Sequence, residues 1–464
     1  MSNFWNKIFL GFIFFLASAS FAYAQPKDNF PYTRLGLGDL SDQFFFAQAS
    51  MGGLSAAFHD PFHMNIANPA SYSRLREAAF EIGLFAENGR LNDATGQNST
   101  LSTWNGNLSY LSLGFPLRNR LNEVLDQKKN KVRWGMNLSL LPFSNVDYNI
   151  ETQTDQVFAD TLTSVDFNFE GKGGTYKVMW GNSLSYKDFS VGLNLGYFFG
   201  KIENDKFVTF PDLRSAFNNA FTDDFTVGGV TWNLGAQYDF VQERNETTND
   251  PVKYITVGAV GNFRNRFKIT RERLWRTQNL AYPISNQDTI LSVSGSETIE
   301  SNSSLPSELT VGVMYTHLPH KGRKSGLRLG ADFKYQKWSE YVNDLVAAND
   351  ADKPDVTSWR VAFGGEYMPD ERSYNKYLKK VRYRFGGFYS KDPRSVQGDH
   401  LSKYGLTVGV GMPVILARGE HAFMNFGLEV GKIGLADALE RTYFKLNIGF
   451  TLNDKYWFFK RKFN

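Results

Sequence analysis

From residue 77 to residue 452 the chain repeatedly places apolar residues at every second position. A period of two puts alternate side chains on opposite faces of a strand. In 132–149, Trp134, Met136, Leu138 and Leu140 share one face and Gly135, Asn137 and Ser139 the other. In 188–202, Phe189, Val191, Leu193, Leu195, Tyr197 and Phe199 oppose Ser190, Gly192, Asn194 and Gly196. In 404–414, Tyr404, Leu406, Val408, Val410 and Met412 oppose Gly405, Thr407, Gly409 and Gly411. The sequence thus predicts fourteen strands: 77–88, 105–115, 132–149, 173–187, 188–202, 226–241, 253–264, 305–318, 324–340, 357–368, 381–391, 404–414, 422–431 and 441–452.

The face opposite the apolar one decides the class. It carries Gly, Asn, Thr and Ser with few charges, where a soluble sandwich would present Lys and Glu. An apolar outside and a small or polar inside are the marks of a transmembrane barrel, and an even strand number returns both chain ends to one side. The prediction is an all-β, 14-stranded antiparallel transmembrane barrel over 77–452. Placing both ends in the periplasm makes Lys187-Asp188 and Pro319–Lys324 short periplasmic turns and Asn265–Leu305 the longest outer loop. Gly409 then faces the lumen, where a small substitution is expected to be mild.

Ahead of the strands, Tyr32–Ala70 lacks any steady period. Gly36, Gly38, Gly52 and Gly53 allow positive φ and close backbone approach. His59-Asp60-Pro61 and Asn68-Pro69 are turn signals. A fourteen-stranded barrel is too wide for side chains alone to fill. The expected occupant is this segment, an N-terminal hatch over 25–76, with Gly36, Gly38, Gly52, Gly53, Asp60, Asn68, Pro69 and Ala70 as its hatch and gating residues.

Composition supports the same class. The 41 Phe, 22 Tyr and 9 Trp suit aromatic girdles, and the absence of Cys removes thiol and disulfide chemistry. A net charge of +4 over 464 residues does not suggest nucleic acid. Mean hydropathy is −0.37, and no stretch after the N-terminus has the ~20 apolar residues of a spanning helix. Lys7, the apolar run Ile8–Phe21 and Ala22-Tyr23-Ala24 read as a signal peptide over 1–24, cleaved near Ala24, so the expected location is the outer membrane of a Gram-negative bacterium. Residues 453–464 read as a periplasmic aromatic and basic tail, with Tyr456-Trp457-Phe458-Phe459 before Lys460-Arg461-Lys462.

Several blocks resemble the FadL/TodX family of outer-membrane transporters for hydrophobic compounds. They are Leu35–Gly38, the small-residue stretch Gly52–Ala57, Asp60, and Asn68-Pro69-Ala70. Further along come Leu305-Pro306-Ser307-Glu308-Leu309, Trp338-Ser339-Glu340-Tyr341 and Arg384–Pro393, in the family's order. The resemblance implies a plugged fourteen-stranded barrel, an apolar ligand site inside, and release sideways through a gap in the wall. It carries over no ligand-contact residue.

Two functions are open. One is passive, hatch-gated uptake of a hydrophobic small molecule, such as a fatty acid or an aromatic hydrocarbon. The other is a non-transporting FadL-like barrel in a larger outer-membrane assembly for protein secretion or outer-membrane biogenesis. Large apolar lumen residues beside the hatch, with Phe198 the candidate, favour the first; a small polar lining favours the second. An enzyme is not expected, because no G-x-S-x-G and no facing Ser/His pair occurs, and no cofactor or catalytic residue is assigned. His59 and His63 have i, i+4 spacing, but Pro61 interrupts it and no metal is expected. Arg118, Arg120, Lys128, Lys129, Lys321, Arg323, Lys324, Lys379 and Lys380 gather on the connections assigned to the periplasm. They suit outer-membrane lipid headgroups or an acidic protein partner.

Overall fold

A computed structural model describes residues 29–93, 101–118, 131–158, 161–213, 217–246, 248–279, 297–343, 357–373, 375–396, 398–416, 420–435 and 437–457. The signal-peptide reading and the basic end of the tail, Lys460-Arg461-Lys462, lie outside these residues. So does most of the connection at 118–131.

The wall has fourteen strands: β1 (Ala78–Asp93), β2 (Leu101–Pro116), β3 (Val132–Phe158), β4 (Thr161–Tyr186), β5 (Phe189–Thr209), β6 (Phe217–Arg244), β7 (Pro251–Asn262, continued by Asn265–Asn279), β8 (Glu297–Leu305, continued by Glu308–His317), β9 (Gly326–Lys337, with Val342–Asn343 beyond a 3-10 turn), β10 (Thr357–Met368), β11 (Arg382–Val396), β12 (Asp399–Ile415), β13 (His421–Gly434) and β14 (Leu439–Asp454). Each strand pairs antiparallel with its neighbours, and β14 closes on β1 from Leu439↔Asp93 to Asp454↔Ala78. Among the described residues no helix is long and apolar enough to cross a membrane. Crossing belongs to the strands. On β14, Phe444, Leu446, Ile448, Phe450 and Leu452 face out while Asn447, Thr451 and Asn453 are buried. Five outward residues at every second place match the ~9–11 residues of a spanning strand.

The strands correspond one to one with those predicted, but several run much further. β3, β4, β5 and β6 have 27, 26, 21 and 28 residues. They continue as a sheet beyond the lipid-facing belt at the end away from the chain termini. The expected loop Asn265–Leu305 is partly ladder, pairing from Leu305↔Asn265 to Glu297↔Arg273. Outside lipid a strand can be polar on both faces. Glu151–Gln156 therefore carries no apolar alternation; backbone pairing holds it, with Gln153 Nε2 donating across to Ser164 Oγ at 2.7 Å. A register shift at Pro142/Ser144 moves the inward face of β3 from odd to even positions, as a residue without a donor promotes.

One ladder is incomplete. β2 pairs with β3 only from Leu111↔Leu140 to Pro116↔Gly135, although both strands continue. Above that point β3 pairs instead with Asp39–Leu40, which precede the wall.

Candidate functional site

The inward glycines show where the N-terminal segment lies. A Cβ at Gly135 would overlap the Tyr72 carbonyl, one at Gly192 would overlap Pro69, and one at Gly258 would overlap Ala56. Met51 lies as close to Gly364 and Gly386, and Asn68 to Gly235. These wall positions come from strands all round the barrel, so residues 29–75 pack against its inner face. The small inward face has a steric cause: the wall must admit a second backbone. Gly409 corrects the expectation above, because its Cβ would meet Ser50 rather than open lumen.

The sequence-picked residues fall on this segment. Gly36, Gly38, Gly52 and Gly53 have φ of 64°, 91°, 73° and 86°. The Gly52 amide donates to Thr407 Oγ1 at 2.9 Å, and its carbonyl accepts from Arg360 at 3.1 Å. Asn68 caps a 3-10 turn (Pro69–Arg74): its Oδ1 accepts from the Ala70 amide at 3.1 Å, and its Nδ2 donates to the Ala56 carbonyl at 2.6 Å. The Ala70 carbonyl accepts from Ser183 Oγ at 2.9 Å. Gly36 and Gly38 stand apart from this group, near the Asp39–Leu40 pairing with β3.

Asp60 is the electrostatic centre. Its Oδ2 accepts from Arg328 Nη1 at 2.7 Å and Arg382 Nη1 at 3.0 Å; its Oδ1 accepts from the amides of Phe62 and His63 at 2.9 and 3.1 Å. Glu366 joins the cluster, bridging Arg328 at 3.0 Å and Arg384 at 2.8 Å. Burial would raise the Asp60 carboxyl, but Arg382 and Arg328 outweigh it and hold the group well below the usual range. Burial pushes His63 down to about 3, so it is neutral, with Nδ1 facing Thr451 Oγ1 at 3.2 Å. His59 faces another wall and meets Asp239 at 3.1 Å. The two histidines do not converge, and among the described residues no three metal-ligating side chains gather. His421, which has no partner evident in the sequence, stands 3.6 Å from Glu77.

Alternation places Arg328, Glu366, Arg382 and Arg384 on inward faces, but the two arginines that meet Asp60 lie 268 and 322 residues from it, which leaves no local mark. Two more ties hold the segment. Asp332 Oδ2 accepts from the amides of Ser55 and Ala56 at 2.6 and 2.8 Å, and Arg74 bridges Asp239 at 3.0 Å.

Above the segment is a cavity of about 200 Å3. Its walls include Asp42, Arg360 and Lys403, the pair Glu308 and Lys334, Asp332 and Lys177, alongside Phe44, Phe143, Trp232 and Trp359. Asp42 meets Arg360 at 2.9 Å and Lys403 at 3.4 Å; Glu308 meets Lys334 at 3.0 Å. Phe198 is fully buried with Leu37, Val227, Phe267, Ile269, Leu305, Trp338 and Tyr341. It belongs to a packed cluster and does not line the cavity.

A closed fourteen-stranded antiparallel barrel with an apolar outer belt defines an outer-membrane barrel of FadL-like architecture. A Pseudomonas aeruginosa FadL homologue is similar in fold, with a TM-score of 0.50 and 11% identity over 90% of this chain and 99% of that one. The Pseudomonas putida toluene transporter TodX aligns with a TM-score of 0.49, 13% identity and 89% and 99% coverage. The Ralstonia pickettii toluene transporter TbuX gives 0.48, 13%, and 89% and 99%. No curated protein matches the sequence. The family is more specific than the fold: the BamG family model matches residues 5–464, and the chain belongs to the BamG family.

Proposed function

We propose that this protein is a non-transporting FadL-like barrel that serves as a subunit of a larger outer-membrane assembly, of the protein-secretion or outer-membrane-biogenesis kind. The carrying observation is the chemistry of the lumen. A hydrophobic ligand in the cavity would have to strip the remaining water from the partly exposed ion pairs Asp42–Arg360, Asp42–Lys403 and Glu308–Lys334 without returning a hydrogen bond, at several kcal/mol for charged groups. The apolar cluster around Phe198 is already filled by side chains. Membership in a family distinct from the transporters supports the same reading.

In this reading residues 25–76 are a hatch that closes the lumen permanently. Gly52, Gly53, Asp60, Asn68, Pro69 and Ala70 fix it to the wall, and Gly36 and Gly38 shape its first turns. The end bearing the chain termini is periplasmic, and the lipid-facing belt sits in the outer membrane.

Hatch-gated uptake of a hydrophobic small molecule is the second reading. Its support is the aromatic part of the cavity wall, Phe44, Phe143, Trp232 and Trp359. Uptake of radiolabelled fatty acid and of toluene by cells with and without the protein separates the two. Equal uptake supports the subunit. Uptake that falls on deletion and returns with the wild-type gene would replace it with the transporter.

A further inference from the structure

We infer that the break in β7 at Phe263-Arg264, with Arg266 beside it, binds the phosphorylated sugar headgroup of an outer-leaflet glycolipid. The inference uses the orientation given above and is independent of the choice between subunit and transporter.

The lipid belt can be read on β7 itself. Val252, Tyr254, Thr256 and Val260 are buried, so Lys253, Ile255, Val257, Ala259, Gly261 and Phe263 hold the outward positions. Ile255–Phe263 is apolar over the ~9–11 residues of a spanning strand, and Lys253 marks its lower edge. Phe263 therefore ends the belt at the rim away from Ala78 and Asp454. There the strand changes face. Asn265, Phe267 and Ile269 are buried and Arg266 and Lys268 exposed, so Phe263 and Arg264 both point outward. Between Leu234↔Gly261 and Gly228↔Lys268, β7 runs through 262–267 while β6 runs through 229–233, one residue fewer. Across on β8, Pro306 has no amide to offer a ladder. Two asparagines take up the freed groups. Asn262 Nδ2 donates to the carbonyls of Phe263 at 3.2 Å and Pro306 at 3.4 Å, and Asn265 Oδ1 accepts from the Trp232 amide at 3.3 Å.

A bulge at a barrel rim re-aims side chains. This one turns out a phenyl ring 76% exposed, 6.1 Å from the Trp232 ring, with a guanidinium next to it on the strand. The cations along the rim fall into two sets. Lys172 and Lys201 meet Glu203 at 3.0 and 2.8 Å, Lys268 meets Glu300 at 2.7 Å, and Lys337 meets Glu340 at 3.0 Å. Arg264 and Arg266 are exposed and meet no carboxylate among the described residues. Their planar forks match phosphate oxygens bidentately. An aromatic ring at the membrane interface with cations above it suits an amphiphile, whose acyl chains meet the ring while its anionic headgroup meets the guanidiniums. An acidic protein would answer the charges and leave Phe263 unaccounted for. A lipid answers both, and at this rim the lipid is that of the outer leaflet.

Native mass spectrometry tests this, titrating the full-length barrel in a non-ionic detergent with diphosphoryl lipid A. Wild type should bind it, and Arg264→Gln combined with Arg266→Gln should bind about 100-fold more weakly, about tenfold for each guanidinium lost. Lipid A stripped of its phosphates should bind wild type as weakly as intact lipid A binds the double variant. Phe263→Ser, which keeps both charges, should cost about tenfold. Lys432→Gln on β13 should bind as wild type does, and unchanged heat-modifiability shows that each variant is folded. Equal binding by the double variant, or binding indifferent to the phosphates, overturns the inference. Displacement by inorganic phosphate alone marks a general anion site and overturns it too. A double variant that keeps its lipid but loses an acidic protein from the native membrane overturns it in favour of a protein surface. Detergent removes any dependence on orientation, so failure here is distinct from failure of the orientation, which cysteine labelling reads.

Discussion

Asp60→Asn isolates what holds the segment in place. The substituted amide keeps an oxygen for the Phe62 and His63 amides, so the local turn survives. It loses the charge that Arg328 and Arg382 share, and Arg382 has no other carboxylate bridge among the described residues. The side chains of Asp60, Arg328 and Arg382 are 0%, 6% and 8% exposed, so the guanidinium left behind cannot be rescued by water. Breaking one partner of such a buried pair costs about 3–5 kcal/mol. The wall ladders are untouched, so the cost falls on the segment. The population of detached segment should rise by about two to three and a half powers of ten. A fourteen-stranded wall cannot be filled by its own side chains, so detachment opens a polar pore. Planar-bilayer recording should show frequent openings for Asp60→Asn with unchanged heat-modifiability of the barrel. A variant as tightly closed as wild type would refute the reasoning.

Val408 faces lipid at 52% exposure, so Val408→Arg should cost about 2–4 kcal/mol of barrel stability in a heat-modifiability assay; equal behaviour of Val408→Thr and Val408→Arg would contradict the assigned face. Gly409→Ser, expected from sequence to be mild, should instead loosen the segment around Ser50 and raise its protease sensitivity. With no native cysteine, Pro211→Cys should be labelled on intact cells and Lys324→Cys should not; the reverse pattern would invert the orientation. Acid should release the segment. His63 is held neutral down to about 3, while the released residue titrates near 6.5, so the released state binds the extra proton and stability falls from about pH 6.5 downward by at most about 1.4 kcal/mol per unit. Asp60, with its depressed pKa, adds a loss only below about 4. Protease protection that stays flat between pH 7 and 4.5 would remove His63 from this explanation.

The wall was legible because lipid imposes a strict period of two, which fixed all fourteen strands and the outward face of residues such as Leu406 and Val408. The strand extensions were not, because 151–156 and 265–279 meet water and need no apolar face to pair. Inward glycines announced a small lumen face, but only the fold reveals that Gly192 and Gly258 make room for Pro69 and Ala56. Asp60 stood out as a turn residue. Its partners Arg328 and Arg382 did not, since a contact across the barrel leaves no spacing to read. The resemblance implied a gap in the wall but not its place; the one local mark beside the missing ladder is Pro142, where the inward face of β3 slips from odd to even positions.

The most direct measurement is affinity purification of the full-length tagged protein from detergent-solubilised native outer membrane, with masses and stoichiometry read by native mass spectrometry. A subunit should emerge in a defined complex, with the same partner proteins at fixed ratio across detergents. A protein that emerges alone, or as copies of itself only, with hydrophobic small molecules bound in its lumen, would contradict the subunit reading and return the barrel to transport.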